Sequence, residues 1–135
     1  MRIAIENLKY TWNIEQKIVE AQLDGFEPIR SNSTRLLLDL DDNESLETYE
    51  RVLPRLQEIF DIEETDRWLS KSGKHTHIIL QCQPLSFDTR VIIQTALGSD
   101  PVRECLASLM HKDGFEEPSV LFKPPEGYIY ETIAK

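Results

Sequence analysis

The stretch 34-TRLLLDLDDNESLETYERVLPRLQEIF-60 decides how this chain folds. Leu36, Leu37, Leu38 and Leu40 form an apolar run of strand length that ends in Asp39, Asp41 and Asp42. Side chains alternate along a strand, so Leu36, Leu38 and Leu40 share one face and Asp39 and Asp41 project from the other. The spacing then changes. Leu46, Tyr49, Val52, Leu53, Leu56, Ile59 and Phe60 recur every three or four residues, which predicts an amphipathic helix, and Pro54 within it predicts a kink or a split.

Working outward, the segment "MRIAIENLKY" at the start alternates like a short strand and leads into a helix over "TWNIEQKIVEAQLDG", closed by Gly25. On the other side, "DRWLSKSGKHTHIILQC" predicts two strands joined at Gly73. "FDTRVIIQTALGSD" predicts a helix that is apolar at Val91, Ile92, Thr95, Ala96 and Leu97 and stops at Gly98. Ser99 or Asp100 then caps another helix, with Pro101 in its first turn, Glu104 placed to bond back to the cap, and Gly114 at its end. "PSVLFKPP" reads as a last core strand and "EGYIYETIAK" as a tail or edge strand. This order predicts an α+β domain with helices packed on one face of a mainly antiparallel sheet.

The chain has 135 residues, 40% hydrophobic and 29% charged. That composition predicts one globular domain able to bury about two-thirds of its unfolded surface. Cys82 and Cys105 lack C-x-x-C spacing and read as free thiols, which points to a reducing, cytoplasmic setting. No apolar run reaches signal-peptide or membrane-spanning length, so no membrane partner is expected. A net charge of −9, from 24 acidic and 15 basic residues, disfavours non-specific nucleic-acid binding but leaves room for a local basic site. The segment holding Arg67, Lys71, Lys74, His75 and His77 is the clearly cationic stretch.

Two neighbouring carboxylates repel unless something positive lies between them, and a divalent cation such as Mg²⁺ or Mn²⁺ suits hard oxygen ligands. Asp39 and Asp41 therefore read either as metal ligands or, more plainly, with Asp41, Asp42 and Asn43 forming the turn and N-cap of the following helix and Asp39 merely exposed. In "SGKHTHIIL", His75 and His77 share a strand face opposite Thr76, Ile78 and Leu80. A Ser-Gly turn with Lys74 carries the amides, hydroxyl and cation that hold a phosphate, with a histidine beside them. The plain alternative is a solvated hairpin. H-x-H beside carboxylates also allows a transition-metal or nuclease site, while Trp12 and Trp68 read as core.

Taken together, a strand ending in D-x-D, a helix, and an S-x-S-G-x-H strand resemble the catalytic core of the archaeo-eukaryotic primase superfamily, over roughly residues 33 to 125 of this single 1–135 unit. The segment "TALGSDPVRECL" is similar to a stretch in phage and plasmid proteins of this kind. The resemblance implies an RRM-like sheet, Asp39 and Asp41 as catalytic metal ligands, and Ser72 with His75 as the phosphate contact. It implies Mg²⁺ or Mn²⁺ as cofactor, and nucleoside triphosphate, DNA and a helicase or other replication protein as partners. A third acid is expected on a late strand, where this chain has Lys123; Asp88 stands in as third metal ligand, with Arg90 beside it for a triphosphate, and Asp100 is the poorer candidate because its expected work is capping a helix. The implied function is a reduced primase-like domain binding metal and nucleotide, with nucleotidyl transfer left open. The alternative is a non-catalytic acidic protein that meets a basic partner as a DNA mimic or replication accessory factor.

Overall fold

Residues 14–128 are described by the computed structural model; the strand expected over residues 1–10, Trp12 and the tail from residue 129 lie outside the described residues. In chain order the elements are α1 (14–23), β1 (Glu27–Arg30), β2 (Arg35–Leu40), α2 (Asn43–Gln57), β3 (Ile62–Leu69), β4 (Thr76–Cys82), α3 (Phe87–Ala96), α4 (Pro101–Lys112) and β5 (Val120–Lys123). The fold is α+β with antiparallel sheets: three strands in the order β2-β4-β3, and a separate pair, β1-β5. β2 and β3 both run antiparallel to β4 between them, a split β-α-β unit joined through α2.

β2 forms where its residues bury best. Leu36, Leu38 and Leu40 meet Ile78 and Leu80 of β4 and Tyr49 of α2 in one core, all at most 1% exposed. Leu37 turns to the opposite face, where Ile79, Trp68 and Leu121 of β5 make a second core. The sheet is thus covered by helix on one side and by the β1-β5 pair on the other. The expected last strand, β5, pairs with β1 rather than joining the main sheet.

β3 serves both cores because its register shifts between Glu64 and Asp66. Before the shift, Ile62 and Glu64 face α2; after it, Asp66 and Trp68 face β5, where Lys123 Nζ reaches Asp66 at 2.6 Å and Trp68 Nε1 donates to Phe122 O at 3.0 Å. One extra residue inverts the alternation and brings Trp68 opposite His77.

Three expectations need correction. α2 is one element from Asn43 to Gln57, so Pro54, which removes a single N–H from the ladder, does not split it. α3 does not bury the face expected for it: Ile92, Thr95 and Ala96 are exposed, and Phe87, Arg90, Ile93 and Gln94 are buried, because two buried polar side chains broke the apolar pattern. Of the two cap candidates Asp100 caps α4, its carboxylate accepting from Val102 N at 3.0 Å, while the Glu104 side chain bonds back not to that cap but to the hydroxyl of Ser99 at 2.9 Å.

Candidate metal centre

The β2-β4 register pairs Asp39 with His77 and Leu40 with Thr76, so the acidic end of β2 lies beside the strand that follows the Gly73 turn. His75 precedes β4 and leans toward β2. Its Nδ1 lies 3.2 Å from Asp39 Oδ1 and 3.0 Å from Asp41 Oδ1. His77 Nε2 approaches the same Asp39 oxygen at 3.4 Å. Asp39, Asp41 and His75 each offer a ligand atom within 4.8 Å of the others, a group that could hold a metal ion. The two polar interruptions of the sequence face one another.

The acids differ in their surroundings. Burial raises Asp39, but hydrogen bonding to His77, the charges of His77 and Arg103, and the His75 hydrogen bond outweigh it and hold its carboxyl below the usual range. Asp41 is pushed up by partial burial and by the negative charges of Asp100, Asp39 and Asp42, against a smaller pull from His75. One imidazole nitrogen therefore sits between two carboxylates that repel each other. Close by, two buried nitrogens, His77 Nδ1 and Arg103 Nη1, find no hydrogen-bond partner among the described residues. Two carboxylate oxygens and an imidazole nitrogen form a donor set that fits a divalent ion, which would replace the excess negative charge with coordination.

The helix-cap reading of the aspartates holds for Asp42, whose side chain accepts from Ser45 N at 2.8 Å, leaving Asp39 and Asp41 free of that duty. Ser72 and Lys74 are exposed on the turn before His75. The turn's amides close on itself: Gly73 N donates to Ser70 O, Lys74 N to Ser72 Oγ and His75 N to Ser70 Oγ, at 2.8, 3.3 and 3.1 Å. Asp88 is not brought to the cluster. α3 starts near the beginning of β2, where Leu85 N donates to Ser33 O, and only past its end does Asp100 N reach Asp39 O. Asp88, in the first turn, is therefore a strand's length away, about 20 Å at roughly 3.3 Å per residue. Arg90 is buried and held bidentately by Glu117 at 2.9 and 2.8 Å. Lys123, where a third acid was sought, is paired with Asp66.

Sequence reasoning missed two neighbours of Asp39: Ser99, whose hydroxyl accepts from Asp39 N at 3.1 Å, and the nearby charge of Arg103. Asp100, ranked below Asp88 as a third acid, is the one that reaches Asp39, its N donating to Asp39 O at 2.9 Å, and nothing in the spacing of Ser99 signalled a contact 60 residues back along the chain. Beside the cluster, a cavity of about 310 Å³ between α1 and the sheet is lined by Phe26, Phe122, Ala21 and Lys71, and shares His77 with it. Among the described residues no helix is long and apolar enough to cross a membrane. A comparison with protein-family models, curated proteins and solved structures finds no match.

Proposed function

We propose that the chain is a primase-like domain that binds a divalent cation and, through it, the phosphates of a nucleoside triphosphate or nucleic acid in DNA replication. The convergence of Asp39, Asp41 and His75 carries the reading. In it the two aspartates are the anionic ligands and His75 supplies nitrogen. Imidazole shifts preference from Mg²⁺ toward Mn²⁺. Ser72 and Lys74, exposed on the turn leading into His75, meet the phosphate, and water and phosphate oxygens complete the coordination sphere. The adjoining cavity, about 310 Å³ and lined by two phenylalanines, falls at the lower end of the range of small-ligand pockets, about 300–1,000 Å³, and offers room for a base.

With Asp88 exposed at the start of α3 and Arg90 held by Glu117, the reading is metal-dependent nucleotide binding rather than complete two-metal polymerisation, which needs a further carboxylate for the ion that activates the attacking hydroxyl. A replication protein such as a helicase would supply the rest of the machinery. Calorimetry with ATP tests this: binding is expected with Mn²⁺, absent with EDTA, and lost in Asp39→Ala with Asp41→Ala. Equal ATP affinity in the double variant and the wild type would sink it.

A further inference from the structure

A buried polar group lies on the outer edge of β2, apart from the proposed ligands. β2 is an edge strand of its sheet, so the outward amides of Leu37 and Asp39 lack strand partners. They are met instead by side chains from the α3–α4 junction. Leu37 N donates to Gln94 Oε1 at 3.1 Å and Asp39 N donates to Ser99 Oγ at 3.1 Å, while Asp39 O accepts from Asp100 N at 2.9 Å. Those contacts fix the polarity behind them. The Gln94 amide, with its oxygen turned to β2, points its NH₂ away; the Ser99 hydroxyl, accepting from β2, points its hydrogen away. Both donors meet one carboxylate: Gln94 Nε2 lies 2.7 Å from Glu104 Oε1 and Ser99 Oγ lies 2.9 Å from Glu104 Oε2. Glu104 is 3% exposed, Gln94 4% and Ser99 2%.

Only a double acceptor closes this group, which is why a buried acid stands where an amide would be cheaper to desolvate. Gly98 makes the approach feasible. Its φ of +98° turns the chain out of α3, and a Cβ there would come 2.8 Å from Ser45 O at the start of α2. The junction is thus wedged against the helix that begins just beyond Asp41.

We infer that Gln94, Ser99 and Glu104 are positioning residues for the metal centre, fixing the backbone of Asp39 from outside so that its carboxylate stays aimed at His75 and Asp41. The inference rests on the proposed metal site and adds to it three residues outside the proposed coordination sphere, Ser99 among them touching the backbone of Asp39. Outer partners of this sort typically change metal affinity about 10–100-fold.

The test is Mn²⁺ titration followed by electron paramagnetic resonance, with urea unfolding of each variant in parallel. Glu104→Gln presents an NH₂ to one of the two donors and is expected to weaken Mn²⁺ binding about 10-fold or more. Exchanging the pair, Gln94→Glu with Glu104→Gln, restores an acceptor to every donor: the carboxylate moved to position 94 accepts from Leu37 N and from the amide moved to position 104, whose oxygen accepts from Ser99. That double variant is expected to recover most of the affinity. Ser99→Ala, which removes a single oxygen, is expected to weaken binding in a chain that still folds, and it carries the test should Glu104→Gln not fold. Wild-type Mn²⁺ affinity in folded Glu104→Gln or Ser99→Ala, or no recovery in a folded exchange variant, overturns the inference. A wild type that takes up no Mn²⁺ sinks the proposed function itself, before any variant is compared.

Discussion

Two pairs of carboxylates lie around β2, and the molecule treats them in opposite ways. Glu117 accepts two hydrogen bonds from Arg90 and a third from the Ser31 hydroxyl, and Glu104 accepts from Gln94 and Ser99. Each has at least as many donors as it has oxygens. Asp39 and Asp41, at the end of β2, converge instead on one nitrogen of His75. The shifts alone do not separate the pairs: Arg90 holds Glu117 below the usual carboxylate range while burial pushes Glu104 above it, and Asp39 lies below the range while Asp41 lies above it, so the contrast rests on the donors. A carboxylate enclosed by matched donors is structural; two that converge on one imidazole nitrogen, with His77 approaching Asp39 at 3.4 Å, form a group that could hold a cation. The difference separates framework from site without reference to any known protein.

Breaking the framework side should have the largest effect. Glu117→Ala strands the Arg90 guanidinium, whose side chain is 4% exposed, and an uncompensated buried charge costs about 3–5 kcal/mol. Urea denaturation should show a lower midpoint with an unchanged slope; a loss near zero would mean that this carboxylate is not structural. Gly98→Ala comes next. The residue holds φ +98° with Ser45 O in the way of a Cβ, so a loss of about 1–3 kcal/mol is expected from strain, measured in the same way, and a neutral outcome would remove the wedge.

On the site side the metal-free effect should be small. Asp41→Asn is expected to change stability by no more than about 0.5 kcal/mol. Its pH dependence sharpens the contrast. The carboxyl of Asp41 is raised on folding, so its protonated form favours the fold, and that contribution is lost as pH rises from the ordinary aspartate value through the folded one. The asparagine variant should therefore gain on the wild type over that range. Asp39 has the opposite sign: its lowered carboxyl stabilises above the ordinary carboxylate value and stops doing so as pH falls through its folded value. As pH rises, Asp39→Asn should lose ground on the wild type below the ordinary carboxylate value, whereas Asp41→Asn gains above it, and matching profiles for the two variants would erase the distinction between them.

Much of this was legible in the chain. Period-two alternation placed Asp39 and Asp41 away from the leucines and put His75 and His77 on one face, because a strand's geometry is nearly independent of its surroundings. Capping by Asp42 and Asp100 and stops at Gly25, Gly98 and Gly114 were equally readable, since these signals are local; all three glycines have positive φ. β1 was missed: four residues, Glu27–Arg30, containing Pro28 carry no alternation. The shift at Thr65 was invisible, because a bulge is set by pairing rather than by the strand's own residues. Asp88 and Arg90 were drawn toward the site by sequence proximity to each other, yet the course of α3 along β2 sets both far from Asp39. The partners of β2's outer edge depend on how α3 and α4 meet, a tertiary fact with no local signature.

The most direct measurement is anomalous diffraction at the manganese edge from crystals soaked in Mn²⁺. The account predicts one strong peak within coordination distance of Asp39 Oδ1, Asp41 Oδ1 and His75 Nδ1, absent from Asp39→Ala with Asp41→Ala. A soaked wild-type crystal with no peak there, and His75 still bridging the two aspartates, would contradict it.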